Sequence, residues 1–355
     1  MTTPKVSVVM SVFNGERFLS EAVESILDQS FRDFEFIIVD DGSTDRSTSI
    51  LDSYQNGDAR MRVCHEEHAG LIRSLNRGCE LAQGIYIARM DADDVASKNR
   101  LACQVDYMQF HREIGVLGGA VEWIDATGKS LGVYPNPAED REIKAGLLNA
   151  MCTFWHPTVF IRRDVFAWAG GYRSCFVGAE DLDLWLRIAD RFRLANLEAV
   201  LVKYRIHPDQ VSMSKRKQQT LSKLAAQASA FFRRNEEVDP FNAVKEITPE
   251  ALAALGLTEA RQQSELASDS RQWIQRMCMV GEFDVALNAA LELLCSDMEH
   301  VERWQIADLQ LTLAWLYWRQ KRIAKALVAG GHAVVTRPAV VGHPLKVWAR
   351  RLGLV

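Results

Sequence analysis

Over its first two hundred residues the chain alternates between continuous apolar runs and segments whose apolar side chains return every three or four positions. VSVVMSVF (6–13) is almost wholly apolar and rich in valine, the pattern of a strand covered on both faces. It leads into ERFLSEAVESILDQS (16–30), where Phe18, Leu19, Ala22, Val23, Ile26 and Leu27 share one helical face. FEFIIVDDGSTD predicts a second strand, a turn and a helix start, with Ser43 or Asp45 as the cap. MRVCHE reads as a third strand, GLIRSLNRGCELAQG as a helix ended by Gly84, and IYIARM as a fourth strand. Strands and helices alternating at this spacing predict right-handed crossovers and a doubly wound, mostly parallel α/β sheet. Ligands of such sheets bind beyond the carboxyl ends of the strands.

After YRIHPDQVSMSKRKQQ the pattern changes. From residue 217 onward the periodicity is helical, broken by the polar, proline-marked EEVDPFNAVKEITPE (236–250). In the stretch 311–338, Ala314, Tyr317, Ala326, Gly330, Ala333 and Pro338 sit where tetratricopeptide helix pairs place small and aromatic packing residues. Gly281, Phe283, Ala286 and Ala290 repeat the pattern in 277–294, but at an irregular spacing. The expected division is an α/β domain over 1–215, then an all-α domain over 216–355 made of a linking helix and helix pairs. The final HPLKVWARRLGLV (343–355) combines Lys346, Arg350 and Arg351 with Leu345, Val347, Trp348 and Leu352. It reads either as a basic amphipathic helix resting on an anionic membrane or as a helix capping the last repeat.

Composition narrows the class. A chain of 355 residues that is 48% hydrophobic and 25% charged is ordinary globular protein, long enough for about two domains. Its net charge of −4 offers no basic footprint for nucleic acid. Seven cysteines, scattered and never spaced C-x-x-C, fit a reducing compartment without disulfides or a zinc ribbon. The opening MTTPKVSVVMSV carries one basic residue and passes straight into a strand, which argues against a secretion signal. No apolar run approaches the roughly 20 residues of a membrane span. A cytoplasmic protein, at most peripheral at the inner face of a membrane, is expected.

Two acidic clusters fall at predicted strand ends: Asp40-Asp41, and Asp91, Asp93 and Asp94 in DADD. Alternate carboxylates on an extended loop can aim at one hard cation, and a bound Mg²⁺ or Mn²⁺ would cancel their mutual repulsion. A solvated acidic loop is the plain alternative, and strand-end placement beside a second acidic pair favours the metal. Asp40 or Asp41 serves a strand-to-helix turn, which explains one aspartate but not two. Asp41 can accept from a base N–H, near the backbone of Ser11, Val12 and Phe13. Glu180 and Asp181 in AEDLDLWLR suit a helix N-terminus, where a carboxylate is both favoured by the dipole and held rigid. Asp183 is read as solvent-facing or structural. His156 in FWHPTVFIRR lines an acceptor pocket or packs in the core.

Taken in order, VSVVMSVFNGERFLSEAVESILDQSFRDFEFIIVDDGSTD, the Gly70-to-Asn76 spacing, DADD and AEDLDLWLR resemble the family 2 glycosyltransferases of GT-A fold, over roughly residues 4–212. The resemblance implies transfer of a sugar, with inversion, from a nucleotide diphosphate donor that is usually UDP- or dTDP-linked. It implies that Asp41 contacts the base and Asp40 the ribose and uridine pocket, with Ser11 and Phe13 beside them. Asp93, with Asp91, would bind the metal on the diphosphate, and Asp181 would be the catalytic base. YRIHPDQVS (204–212) resembles the closing segment of bacterial members, so Arg205 and His207 would approach diphosphate and metal. His68 stands where family members often carry asparagine, with Arg73 as a further helper on that side. Expected partners are a UDP-linked donor and a glycan, lipid-linked or protein acceptor in surface polysaccharide synthesis. The C-terminal helices are left for self-association or a protein partner.

Inversion chemistry asks for these groups independently. A base must take the acceptor proton as positive charge grows at the sugar carbon, and a cation must stabilise the leaving diphosphate. A sugar-nucleotide pyrophosphorylase also uses paired aspartates, but SVFNGERF is a poor triphosphate loop. A noncatalytic scaffold would not need Asp41, Asp91, Asp93 and Asp181 together.

Overall fold

The computed structural model describes residues 3–208, 213–296 and 298–339. The chain forms two compact units, Met1–Ile206 with Ala225–Ile247, and His207–Leu224 with Thr248–Val355. The sequence pattern places one cut after residue 215; residues 225–247 group instead with the first unit. Asp239 explains this, since its carboxylate accepts from Arg173 at 2.9 Å and from Ser229 at 2.5 Å, while Phe241 packs edge-on against Phe176.

The first unit carries a nine-stranded sheet. Its first half follows the predicted alternation: β1 (Val6–Val12), α1 (Leu19–Leu27), β2 (Phe34–Asp40), α2 (Ser47–Gly57), β3 (Met61–His65), α3 (Leu71–Leu81) and β4 (Tyr86–Met90). These four strands are parallel in the order β3-β2-β1-β4. The second half is β5 (Val95–Ala96), α4 (Arg100–Phe110), β6 (Ile114–Ile124), β7 (Ser130–Tyr134), α5 (Asp140–Leu148), β8 (Phe160–Arg162), α6 (Arg163–Trp168), α7 (Glu180–Ala189) and β9 (Arg193–Arg205). Here the sheet becomes mixed. The short β8 runs antiparallel between β4 and β6, β9 runs parallel to β6, and β5 and β7 pair antiparallel with β9 and β6. A three-residue strand is too short to leave a period in the sequence, so alternation alone does not reveal it.

Burial explains the order. Val6, Val8 and Met10 of β1, Phe36 and Ile38 of β2, and Leu19, Val23 and Ile26 of α1 are fully enclosed. Each such side chain contributes roughly 1.5–3 kcal/mol through removal from water. Register then levels the strand ends, since Val12 lies opposite Asp40 and Asp40 opposite His65. Phe13, Asp40-Asp41 and Asp91 therefore emerge along one edge.

The second unit is helical. α8 (Met213–Arg234) begins in it, followed by α9 (Pro249–Ala254), α10 (Glu259–Met279), α11 (Phe283–Cys295), α12 (Arg303–Arg319) and α13 (Ile323–Thr336). Thr248 and Thr258 cap α9 and α10 by accepting from Ala251 N and Arg261 N. Small residues set the close packing, with Ala286 and Ala290 of α11 buried and Ala314 of α12 facing Gly330 of α13. Among the described residues no helix is long and apolar enough to cross a membrane. The basic segment 343–355 lies outside the described residues.

Candidate active site

The edge beyond β1 and β2 is built by two loops that interlock. Ser43 Oγ and Asp45 Oδ2 accept from Asn14 N and Glu16 N, Asn14 Oδ1 accepts from Thr44 N, and Ser47 Oγ accepts from Gly15 N. Ser43 and Asp45 thus tie FNGE to DGSTD, and neither is the residue that precedes α2, which is Arg46. Residues 14–16 are spent on these ties, so α1 starts at Leu19. Gly42 adopts φ 75°, and a Cβ there would meet His68 N at 2.8 Å, so the turn requires glycine.

Both aspartates of the pair are buried and heavily engaged. Asp40 accepts from Ser43 N, Thr48 Oγ1 and His65 Nδ1 at 2.7–3.0 Å. Burial alone would raise its pKa; the bonds from Ser43, Thr48 and His65 outweigh that and lower it. Asp41 accepts from Ala69 N and Gly70 N at the start of α3, from Ser74 Oγ at 2.9 Å, and pairs with His68 Nδ1 at 2.8 Å. A carboxylate offers about four lone-pair sites, and these partners use them. The base contact implied by resemblance for Asp41 therefore competes with donors already in place. Above this floor, Phe13 and His68 stack with ring centroids 4.1 Å apart, and Phe13 is 48% exposed. Ser11 is partly buried on β1.

At the end of β4, Asp91, Asp93 and Asp94 bring one ligand atom each within 4.8 Å of the others. Asp94 is 1% exposed; Oδ1 accepts from Arg205 N at 2.7 Å, while Oδ2 is buried with no hydrogen-bond partner. Burial first, then the Asp93 and Asp91 charges, push its pKa well above the usual carboxylate range. Asp91 is ion-paired with Arg89, yet burial still raises its pKa. Three crowded carboxylates and an orphaned oxygen fit a divalent cation, which would satisfy both.

Arg205 is held from several sides. Its guanidinium is 2% exposed, donates to Asp93 O at 2.8 Å, Asp125 O and Glu21 Oε2, and lies 4.4 Å from the Phe18 ring. It braces the acidic loop from behind. His207 is buried and belongs to the second unit, and 209–212 of the same segment fall outside the described residues.

Glu180 and Asp181 open α7. Glu180 Oε2 accepts from Gly178 N at 2.9 Å, and Asp181 Oδ1 from Leu182 N at 2.7 Å. Burial, then the Asp181 charge, push Glu180 up to about 7, and burial also raises Asp181. Asn76 clamps the approach to this helix, exchanging bonds with the backbone of Tyr172 at 2.8 and 2.9 Å. His156 Nε2 lies 3.0 Å from Tyr172 Oη; burial and then Arg89 hold this ring neutral. Asp183 is structural, fully buried between Arg173 and Arg187.

Sequence reasoning passed over Arg89, the buried cation that feels Asp91, Asp94, Glu180 and Asp181 together. The available signal was an arginine inside the apolar run IYIARM, because a buried strand keeps a charge only beside its counter-charge. Asp94 was likewise named in the cluster without a ligand role.

A parallel-centred sheet with carboxylates at its strand ends and an acidic helix start defines the GT-A class of sugar transferase. The family model described as Glycosyl transferase family 2 matches residues 7–167. The O-antigen biosynthesis glycosyltransferase WbnJ of Escherichia coli is 32% identical over 206 residues, covering 57% of this chain and 80% of WbnJ. The chain belongs to glycosyl transferase family 2. In fold it is similar to the mannosyltransferase PcManGT from Pyrobaculum calidifontis, solved with GDP-Man and Mn²⁺, at TM-score 0.52 and 18% identity over 93% of this chain and 87% of that one. S. aureus TarS 1-349 with UDP-GlcNAc aligns at TM-score 0.50 and 17% identity, over 92% and 90% of the two chains.

Proposed function

We propose that this family 2 glycosyltransferase is metal-dependent and inverting, and takes its sugar from a nucleotide diphosphate donor, UDP-linked. The observation that carries the reading is the Asp91, Asp93 and Asp94 cluster with the orphaned Asp94 Oδ2. Asp93 and Asp94 would hold Mn²⁺ or Mg²⁺, with Asp91 already balanced by Arg89. The cation, when bound, supplies charge stabilisation for the departing diphosphate. Asp181 accepts the proton of the attacking acceptor hydroxyl through a carboxylate fixed by Leu182 N–H. Glu180, near neutrality in its titration, is the reserve acceptor. His156, kept neutral against Tyr172, suits the sugar side, where hydroxyls need both donors and acceptors.

Support for a nucleotide donor and a metal also comes from the neighbours solved with GDP-Man and Mn²⁺ and with UDP-GlcNAc. The named role of the E. coli relative in O-antigen biosynthesis supports a glycan or lipid-linked acceptor in surface polysaccharide synthesis. Calorimetry of UDP binding, with and without Mn²⁺, on wild type and Asp93→Ala tests the reading. Wild type should bind more tightly with Mn²⁺ and Asp93→Ala should lose that gain; equal affinity in all four titrations refutes the metal role.

A further inference from the structure

The helix α13 has an outer face that a soluble helical repeat does not leave bare. Ala329 and Ala333 are its buried residues. At about 100° per residue, Ile323, Leu327, Val328, Val334 and Val335 fall on an arc of about 140° on the opposite side. All five are exposed, Leu327 at 73% and Val335 at 82%. The face is apolar and edged by cations.

The charge pattern decides what covers it. From residue 309 to 355 the chain contains eight lysines and arginines and no aspartate or glutamate, in a protein of net charge −4. Five of the eight, Arg319, Lys321, Arg322, Lys325 and Arg337, are described and exposed at or beside α13. Lys346, Arg350 and Arg351 add three more cations and no acid to this stretch of the sequence. A second copy of α13 laid against the first would bring like charges together. An anionic bilayer satisfies both halves of the pattern, since apolar side chains enter the acyl boundary while cations sit at the headgroups.

We infer that the exposed face of α13 with its flanking cations is a docking surface for an anionic lipid bilayer. Co-sedimentation of the full chain with phosphatidylcholine vesicles, with and without phosphatidylglycerol, tests this without reference to activity. Binding should need the anionic lipid and weaken in about 0.5 M salt. Each cation near the surface is worth about five-fold in partitioning, so Lys321→Ala, Arg322→Ala and Lys325→Ala combined should cost about a hundred-fold. Leu327→Asp with Val335→Asp should abolish binding at unchanged melting temperature, because both positions face water. No preference for anionic vesicles overturns the inference. So does a fall in melting temperature of the aspartate variant, which would mean the chain covers the face itself. A dimer by light scattering that this variant dissociates would assign the face to a second copy instead.

Discussion

Replacing Asp181 by asparagine separates catalysis from folding at one atom. Asp181 Oδ1 accepts from Leu182 N at 2.7 Å, and an asparagine oxygen keeps that bond, so α7 should start unchanged. What is lost is the proton-accepting oxygen. A general base contributes about 10²–10⁴-fold, which at about 1.36 kcal/mol per tenfold is roughly 2.7–5.5 kcal/mol of transition-state stabilisation. Release of UDP from a donor in the presence of Mn²⁺, with water as acceptor, reads this without knowledge of the natural acceptor. The fall should appear in kcat, with UDP affinity by calorimetry unchanged. The variant should also move Glu180, which sits near 7 through burial first and the Asp181 charge second. A raised acid means that between about pH 4.3 and 7 the folded state holds a proton the unfolded chain has released, so stability falls as pH rises through that window. Without the Asp181 charge the window narrows from its upper end. Turnover within tenfold of wild type refutes the assignment and moves the base to Glu180.

Three further outcomes follow from the buried charges. Asp183→Asn removes the anion between Arg173 and Arg187, at a cost of about 3–5 kcal/mol, and should lower the melting temperature by about 6–20 °C; a shift under about 3 °C counts against the network. His65 has its pKa raised: burial opposes this, but the bonds it donates to Asp40 and Asp52 prevail, so its stabilisation is full below about pH 6.5 and lost as pH rises through the folded value. Urea midpoints at about pH 5.5 and 8.5 should differ less in His65→Gln than in wild type, and equal differences would discount the pair. Asp41→Asn loses one acceptor oxygen facing Gly70 N and His68, and should cost about 1.5–3 kcal/mol of stability along with donor affinity. Lost affinity at unchanged melting temperature would mean that Asp41 reads the base directly.

The start of the parallel half was legible because β1 and β2 are long apolar runs, each followed by a helix. Beyond Met90 the periods shorten: β5 has two residues and β8 three, and their antiparallel pairing is decided by contacts far along the chain. The acidic clusters were legible as charges at strand ends. Their partners were not, because Arg205 reaches Asp93 and Asp94 across more than a hundred residues, and Asn76 reaches Tyr172 across 96. Sequence spacing carries no trace of such ties. The exchange of 225–247 into the first unit was hidden for the same reason, since it rests on Asp239 meeting Arg173.

The residues singled out by resemblance therefore divide by what their polar atoms are already doing. Asp40, Asp41 and Arg205 have their hydrogen-bonding capacity committed within the protein, and they fix the two interlocked loops and the acidic loop before any donor arrives. The orphaned Asp94 Oδ2 and the exposed Phe13 and His68 rings keep capacity for a ligand. Such a division favours affinity, because loops ordered in advance take no entropy from binding. It also sets where discrimination arises. Under the proposed function, stacking on Phe13 and His68 would accept any base face, whereas the charge at Asp91, Asp93 and Asp94 would answer to a cation and the diphosphate it brings. On that reading, donor selection would lie more in the diphosphate and sugar than in the identity of the base.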